Sequence, residues 1–402
     1  MTKQSTRSVK KTVSPLHGAG YSLHNRVESV KGGKYFFDRL LQLIGEAQHS
    51  IHLQTYALEE DETGKMVADA LMAAAQRKVE VYVLADGFAS QKLSADFIGQ
   101  LKTAGVRFRL FEPFLKSQYF YFGRRLHHKV VVIDSSRALV GTMNIADRYN
   151  DRDDKKSWLD TALYVEGDAA IELQKVCWRL WIKKRKAGIA TNQAANKYAM
   201  AIPEEEQVAV RVRQNDWVMQ KIEITRSYYA LLTDAKDRIY IMCSYFLPGK
   251  KLLRLLKQAA GRGVAIHVVL AGTSDVKTAK FAERYLYRWL FRNKIKIYEY
   301  QPTVLHAKIS IADGQVYTIG SYNLNGLSAY ASIELNLDVQ DKKTGSLIEK
   351  QIKKIIIEDC KAVDSATYVH RLFRPQQLIH WLSYQLMNLI LTLTTFYFRQ
   401  KE

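Results

Sequence analysis

The chain contains one structural unit twice, and this internal repeat restricts the possible folds more than any other feature of the sequence. In each half, a strand-like segment is followed by a helical segment and a second strand-like segment. Residues 74–79 align without a gap on residues 259–264, and Gly87 falls on Gly272. The repeated segments are residues 51–56, a helix from about residue 65 and residues 79–84, and then residues 239–245, 251–260 and 264–270. Two copies of one α/β unit are therefore expected.

Strands that alternate with helices predict an α/β fold with a largely parallel or mixed sheet in each half. A chain of 402 residues is long enough for two such units. A stretch rich in Asn, Ala and Glu between the halves is typical of a linker. The predicted division is a basic disordered tail at 1–20, a first domain at 21–188, a linker at 189–207, a second domain at 208–365 and an apolar membrane-associating segment at 366–402.

A short polar motif occurs once in each half with identical internal spacing. A histidine is followed two positions later by a lysine, then after four residues by an aspartate, and after six more by Gly-Thr-Met-Asn or Gly-Ser-Tyr-Asn. The two sets are His127, Lys129, Asp134, Thr142 and Asn144, and His306, Lys308, Asp313, Ser321 and Asn323. Two matches at one spacing, each after a matching α/β unit, are far more specific than one.

These residue types are suited to chemistry at a phosphodiester. If His127 and Lys129 lie in a strand, they share one face, and the same holds for His306 and Lys308. Two such sets facing each other would surround one phosphate with imidazoles, ammonium groups and asparagine amides, which offset the repulsion of a nucleophile by the anionic oxygens. A neutral imidazole can attack phosphorus, and a protonated one can donate to the departing alkoxide. This chemistry requires no metal or other cofactor, and the motifs lack the carboxylate clusters of a two-metal phosphodiesterase.

The repeated motif resembles the HxK(x)4D motif of the phospholipase D superfamily, and the resemblance extends from about residue 21 to residue 365. Residues 143–149 (MNIADRY) and 244–248 (SYFLP) further resemble bacterial cardiolipin synthases. The superfamily implies two similar α/β repeats with mixed β-sheets flanked by helices, related by a pseudo-twofold axis with the active site between them. The resemblance also implies a phospholipid phosphatidyltransferase that acts through a phosphohistidine, with phosphatidylglycerol or phosphatidylethanolamine as substrate.

The resemblance implies roles for individual residues as well. His127 is expected to be the nucleophile and His306 the general acid and base, with Asp160 orienting His127 and Glu334 orienting His306. The motif residues counted as catalytic are His127, Lys129, Asp134, His306, Lys308 and Asp313, although the two motif aspartates look structural by position. The substrate-binding candidates are Asn144, Asn323, Thr142 and Ser321. Leu327 stands where many relatives carry arginine, a departure that bears on the choice of lipid headgroup.

The balance of charged residues predicts an anionic partner. The chain carries 60 Lys and Arg against 40 Asp and Glu, a formal net charge of +20. Such an excess suits an anionic membrane surface, a phosphorylated small molecule or nucleic acid, and charge alone does not choose among them.

The C-terminal segment differs in composition from the rest of the chain. Residues 375–398 contain no charged side chain, and Trp381 and Tyr384 are of the types favoured at a membrane interface. The segment could lie on or span a membrane, or pack as a buried terminal helix. The expected location is the cytoplasmic side of the cell membrane, peripheral or anchored through the C-terminus.

Two other functions are compatible with the motif. A hydrolase or nuclease of the same superfamily would use the positive charge to bind a nucleic acid backbone, but would not need the apolar segment at 375–398. A binding protein without activity could keep the fold alone, yet both motifs retain every polar residue. The lipid transferase is therefore the leading hypothesis.

Overall fold

The computed structural model describes residues 20–113, 124–152, 155–182, 201–365, 368 and 374–399. Nearly all of the predicted tail at 1–20 and most of the predicted linker at 189–207 lie outside these residues.

Each half of the chain forms one mixed β-sheet. The first sheet contains β1 (Asn25–Lys31), β2 (Ser50–Thr55), β3 (Glu80–Asp86), β4 (Arg107–Phe111), β5 (Lys129–Ile133), β6 (Arg137–Gly141) and β7 (Thr161–Gly167). The second contains β8 (Ala209–Asp216), β9 (Lys221–Ile222), β10 (Arg238–Met242), β11 (Ala265–Ala271), β12 (Lys296–Tyr300), β13 (Ile309–Ala312), β14 (Val316–Gly320), β15 (Glu334–Gln340) and β16 (Cys360–Ala362).

The two sheets have the same topology. The first has the order β1-β7-β6-β5-β2-β3-β4, and the second has the order β16-β12-β11-β10-β13-β14-β15-β8-β9. Matching β8 to β1 and β10–β15 to β2–β7 makes the orders identical, with β9 and β16 added at the edges. In each sheet three strands are parallel and the others antiparallel. The prediction of two similar α/β repeats with mixed sheets is confirmed.

The helices enclose the sheets and leave a shared core between the halves. They are α1 (Lys34–Glu46), α2 (Glu62–Gln76), α3 (Ala95–Thr103), α4 (Asp168–Ile182), α5 (Glu223–Asp234), α6 (Lys250–Gly261), α7 (Lys277–Arg292), α8 (Gly326–Tyr330), α9 (Lys342–Glu358) and α10 (Arg374–Arg399). Helices α1–α3 pack on the first sheet and α5–α7 on the second, each around its own apolar cluster. A third cluster joins Val132 and Val140 of the first sheet to Ile311 and Tyr317 of the second. This shared core holds the two repeats in contact.

Local sequence explains where several elements begin and why the central strands are apolar. Asp61, Ser94 and Asp341 cap α2, α3 and α9, because their side chains accept hydrogen bonds from backbone N–H groups of the first turn. Every residue of β5 and β13 is buried, as expected for strands covered on both faces. These central strands follow the two histidines directly.

The C-terminal segment forms α10, which packs along α7 and against α8. His380, Ser383 and Leu391 are buried on its inner side. One side of the segment thus packs on the protein, as one of the alternatives from the sequence predicts. Among the described residues, none of the helices combines the length and apolar character needed to cross a membrane.

Candidate active site

The two histidines lie in extended segments directly before the central strands. Strand β5 begins two residues after His127 and β13 three residues after His306, so neither histidine is a strand residue, contrary to the alternation argument. Each segment instead pairs with the other half of the molecule. The backbone N–H of His127 donates to the carbonyl of Ile333 at 2.9 Å, and that of His306 donates to the carbonyl of Leu159 at 2.8 Å. The backbone therefore fixes each histidine against the opposite repeat.

Each histidine is bound by a carboxylate from the opposite repeat. Nδ1 of His127 lies 2.8 Å from Oε2 of Glu334, and Nδ1 of His306 lies 2.8 Å from Oδ2 of Asp160. The predicted pairing of Asp160 with His127 and Glu334 with His306 is therefore wrong. The physical reason is the backbone pairing between the halves. Each carboxylate residue directly follows the residue whose carbonyl binds the opposite histidine, so its side chain lies beside that histidine.

Burial is the strongest influence on the protonation of both pairs. It lowers the pKa of His127 and lowers that of His306 well below its usual value, so both imidazoles are neutral at pH 7. Burial raises the pKa of Asp160 to about 8. Burial also acts to raise the pKa of Glu334, but the interaction with His127 and the nearby cations outweighs it and leaves that pKa lowered. The two carboxylates therefore differ, because the pKa of Asp160 is raised and that of Glu334 is lowered.

The two lysines of the motifs are buried beside the histidines. The Nζ atom of each donates to the carbonyl of the histidine two residues earlier, at 2.8 Å for Lys129. Lys129 Nζ also lies 5.1 Å from the ring centre of Tyr56, and Lys308 Nζ donates to Ser244 Oγ at 3.0 Å. Burial lowers the pKa of both lysines. A bound phosphodiester anion would counter that effect by favouring the ammonium forms.

The two motif asparagines, which the sequence predicts to act alike, have different environments. The amide nitrogen of Asn144 donates to the hydroxyl of Tyr149 at 2.9 Å, and its oxygen accepts from the backbone N–H of Ala57 at 3.2 Å. The side-chain oxygen of Asn323 is buried and has no hydrogen-bond partner among the described residues. Both ends of the Asn144 amide therefore bind the protein, which favours a structural role, and its role in substrate binding stays a prediction. Asn323 remains a candidate.

Thr142 and Ser321 are fully buried, and their hydroxyls bind the protein. Oγ1 of Thr142 donates to the carbonyl of Thr161 at 3.1 Å. Oγ of Ser321 donates to Glu334 and accepts from the backbone N–H of Leu335 at 3.0 Å. These contacts favour a structural role, and a role of either residue in substrate binding stays a prediction. They fix the segments that carry the two carboxylates.

The two motif aspartates lie at the far ends of the central strands and have a structural role. Asp134 accepts hydrogen bonds from the backbone N–H groups of residues 48–50 at 2.8 to 2.9 Å, and Asp313 accepts from those of residues 236–238 at 2.9 Å. Both have a positive φ, 50° and 53°, which aspartate tolerates better than most residues. A five-residue strand places Asp134 about 16 Å from the start of β5. The hydrogen bonds favour the structural role that the position of these aspartates suggests, and the count of them as catalytic stays a prediction.

The family model described as cardiolipin synthase, PLD-like domain matches residues 40–181 and 228–356, which include both histidines and both carboxylates. The chain belongs to this family. The prediction of a phosphatidyltransferase or phosphodiesterase of the phospholipase D superfamily is thereby confirmed.

Individual members of the cardiolipin synthase family match most of the chain. Cardiolipin synthase B of Salmonella typhimurium is 33% identical over 362 residues, covering 86% of this chain and 84% of the relative. Cardiolipin synthase B of Escherichia coli strain K12 is 32% identical over 355 residues, covering 85% and 82%. The crystal structure of phosphatidylserine synthase from Haemophilus influenzae superposes with a TM-score of 0.71 at 15% identity, covering 93% of this chain and 97% of that chain, and supports the fold.

Two tyrosines of this cardiolipin synthase family member lie against the histidines. The ring of Tyr56 contacts His127 edge-on and the ring of Tyr149 contacts His306 edge-on, each with ring centres 5.0 Å apart. Sequence reasoning gave Tyr149 no role. It follows Asn144 by five positions, where the second repeat has Ser328, so comparison of the repeats gives no signal for it. Its place in the family-like tract MNIADRY was the one available indication.

The groups brought together define what the site can do. They are two imidazoles with carboxylate partners and two lysine ammonium groups, and the motif of the second repeat adds the amide of Asn323. In the described part of the chain, no group of three or more His, Cys, Asp or Glu side chains is arranged to hold a metal ion. The cations and the amide suit the binding of a phosphate anion, and the imidazoles suit nucleophilic attack and proton transfer.

Proposed function

We propose that this chain is a cardiolipin synthase-like phosphatidyltransferase that moves a phosphatidyl group from one alcohol to another through a phosphohistidine. The observation that carries the proposal is the crossed pairing of His127 with Glu334 and of His306 with Asp160. Each of the two imidazoles thus has its own carboxylate partner, and the pKa values of the two carboxylates are shifted in opposite directions. Relatives that are cardiolipin synthases support a phospholipid substrate. The donors named in the proposal are phosphatidylglycerol and phosphatidylethanolamine.

In the first step, Nε2 of His127 attacks the phosphorus of the donor lipid. The ionised Glu334 accepts a hydrogen bond from Nδ1–H of His127, which leaves the lone pair on Nε2. The protonated Asp160 donates to Nδ1 of His306, which places the ring proton of His306 on Nε2. As the bond to the leaving oxygen breaks, His306 gives this proton to that oxygen and takes the Asp160 proton at Nδ1.

In the second step, the proton movements reverse. The acceptor alcohol gives its proton to Nε2 of His306, which returns its Nδ1 proton to Asp160. The alcohol oxygen attacks phosphorus, the bond to His127 breaks, and the new phosphodiester leaves. Each residue returns to its starting state, so one alcohol is exchanged for another without a further reactant. Water in place of the alcohol would yield phosphatidic acid.

The cations and the free amide stabilise the charge that develops during both steps. Lys129 and Lys308 lie beside the two histidines, and Asn323 has an uncommitted side-chain oxygen and therefore an amide that is free to turn toward a ligand. Donors fixed in a buried site stabilise the equatorial oxygens of a pentavalent transition state more effectively than water does.

Product analysis with the purified full-length chain tests the reaction. The protein would be incubated in mixed micelles with phosphatidylglycerol, phosphatidylethanolamine or both, with EDTA present, and the products identified by mass spectrometry. We expect cardiolipin from the wild-type chain and none from His127→Ala. Phosphatidic acid as the sole product would make the protein a hydrolase. The absence of any lipid product would contradict the proposal and favour nucleic acid as substrate.

The roles of the two histidines are tested by trapping the covalent intermediate. The substrate for this test is a lipid with a label in its phosphatidyl group and a p-nitrophenyl leaving group, which departs with little help from an acid. The variant His306→Ala should therefore form labelled enzyme that turns over slowly. His127→Ala should remain unlabelled. Labelling of the His127→Ala variant alone would reverse the assignment.

The proposed location is the cytoplasmic side of the cell membrane, because the substrate is a membrane lipid and the chain carries a net charge of +20. Fractionation of cells would test it. Recovery of the whole protein in the soluble fraction at low and at physiological salt would contradict it.

A further inference from the structure

The inner side of α10 is firmly packed on the second repeat. His380 stacks on Phe281 of α7 with ring centres 5.7 Å apart. Near the other end, Leu391 is buried against Gly326, the first residue of α8, where a Cβ would lie 3.7 Å from Leu391 Cδ1. These contacts fix the orientation of α10 on the protein, and the opposite side of the helix therefore faces away from it.

The outer side of α10 is an apolar surface that is exposed from Leu378 to Leu393. Its members are Leu378, Ile379, Trp381, Leu382, Leu386, Leu389, Ile390 and Leu393, each 41 to 70% exposed. At 100° per residue, these side chains except Trp381 fall within about one third of the helix circumference, and Trp381 lies at the margin. No charged residue occurs between positions 375 and 398. We call this surface the outer face of α10.

Exposed cations occur on elements near α10. Arg288 and Arg292 are exposed on α7, the helix on which α10 lies. Lys250 and Lys251 are exposed at the start of α6, a few residues after Leu247, which packs against α10. An apolar strip with cations nearby complements an anionic lipid surface, because the acyl region binds the apolar side chains and the headgroups bind the cations. A second copy of the chain would instead bring the same cations together.

We infer that the outer face of α10 docks on an anionic phospholipid bilayer, with the helix lying in the plane of the interface. The aromatic ring of Trp381 at the margin of the face has the position expected at headgroup depth. The inference rests on the proposed function only for the choice of a phospholipid as the partner, because docking can be measured without turnover.

The same helix connects the docked surface to the second half of the site. On its inner side, Tyr384 and Met387 pack against Leu247. The backbone N–H of Leu247 donates to the carbonyl of Leu324 at 2.9 Å, and Leu324 directly follows Asn323. Helix α8, which contacts α10, supplies Ser328, whose Oγ accepts from the backbone N–H of Asn323 at 3.2 Å. Docking through α10 therefore places the loop of Asn323 next to the bilayer.

Vesicle binding of the full-length chain tests the inference. The variant Leu382→Ser/Leu386→Ser/Leu389→Ser removes apolar groups from the outer face. The control Leu23→Ser/Leu347→Ser/Ile357→Ser removes apolar groups elsewhere that are 54 to 81% exposed, against 48 to 55% for the three leucines of the outer face. With vesicles of phosphatidylglycerol and phosphatidylethanolamine, we expect the outer-face variant to bind roughly 30-fold more weakly in cosedimentation and the control to bind as the wild type does. The variant Arg288→Gln/Arg292→Gln should bind more weakly to these vesicles and lose the wild-type preference over phosphatidylcholine vesicles.

Two further measurements separate this inference from its alternatives. Turnover of a monomeric short-chain phosphatidylglycerol should remain in the outer-face variant, while turnover of vesicle lipid falls. If neither protein turns over any lipid but vesicle binding differs as expected, the proposed function fails and the docking surface stands. Equal vesicle binding by the outer-face variant and the control would overturn the inference. So would a wild-type dimer in sedimentation that the outer-face variant loses, because a second copy would then cover this face.

Discussion

The Nδ1 atom of His127 lies 2.8 Å from Oε2 of Glu334, a residue 207 positions further along the chain. The contact between His306 and Asp160 spans 146 positions at the same distance. The two contacts run in opposite directions between the repeats. Each half-site is therefore completed by the other repeat, and the carboxylates can be altered separately to tell the two histidines apart.

Glu334→Gln and Asp160→Asn should impair different steps. A Gln amide can donate to Nδ1 of His127 and shift the ring proton to Nε2, which blocks the nucleophile. We expect a fall in kcat of about 10⁴-fold and no labelled intermediate, a magnitude like that of a wrong tautomer in a serine protease triad. Asp160→Asn can still donate to Nδ1 of His306 but supplies no proton. The Asp160→Asn variant should still carry out the first step on the lipid with a p-nitrophenyl leaving group, but should lose turnover of the natural lipid. Equal losses of activity on the two substrates would contradict this distinction.

The pH dependence of kcat/KM should show an alkaline limb near pH 8. Burial raises the pKa of Asp160 to about 8, so the proton delivered through His306 is present below that pH and lost above it. The pKa of His127 is lowered, so its neutral form persists as the pH falls through the usual histidine value near 6.5. Initial rates between pH 5 and 10 would measure both limbs. With the p-nitrophenyl lipid, whose leaving group needs little help from an acid, the alkaline limb of the wild type should weaken, and a limb that is equal on both substrates would assign it to another group.

The two motif asparagines should respond differently to the same substitution. Asn323→Ala should lower kcat by about 10²-fold with little change in melting temperature, since its amide oxygen has no partner among the described residues. Asn144→Ala removes the acceptor of the Ala57 N–H and the amide that donates to the Tyr149 hydroxyl, and should destabilise the fold by about 2 kcal/mol. Kinetics and thermal unfolding of both variants would decide. Equal stability losses would show that the repeats use these asparagines alike.

Asp134→Ala should affect stability rather than catalysis. The carboxylate accepts three backbone hydrogen bonds, and its removal leaves three N–H groups without this acceptor. We expect a loss of about 3 kcal/mol in the free energy of unfolding, measured by urea denaturation, with kcat per folded molecule unchanged. A large fall in kcat at full folding would return Asp134 to the catalytic residues.

Leu391→Ala should loosen α10 from the loop of Asn323. Leu391 is buried against Gly326, and shortening a buried leucine to alanine costs about 2 to 4 kcal/mol. Unlike the outer-face variant, it should lower turnover of both monomeric and vesicle lipid. Turnover of monomeric lipid and of vesicle lipid would be measured, with Leu378→Ala as a control on the exposed side of α10. The comparison distinguishes an effect on the packing of the helix against the protein from an effect on docking to the bilayer.

The sequence predicted the repeats well because their signal is local. Alternating strands and helices and the His-x-Lys spacing identify each unit, and the identical strand order of the two sheets follows from the repeat. The crossed carboxylates were not predictable by the same reasoning, because they depend on backbone pairing of Leu159 and Ile333 with segments far away in the chain. The difference between Asn144 and Asn323 was missed for a related reason. It depends on Tyr149, which replaces the serine of the other repeat, and the motif pattern ignores that position.

The crossed carboxylates also bear on how a chain of this kind can arise. A gene for a single repeat could act only as two associated copies, each supplying the acid for the other's histidine. Fusion into one chain removes the requirement that the copies be identical. Aspartate can then stand where the other repeat has glutamate, and tyrosine where it has serine. In the proposed mechanism, one half would thereby specialise in nucleophilic attack and the other in moving the proton.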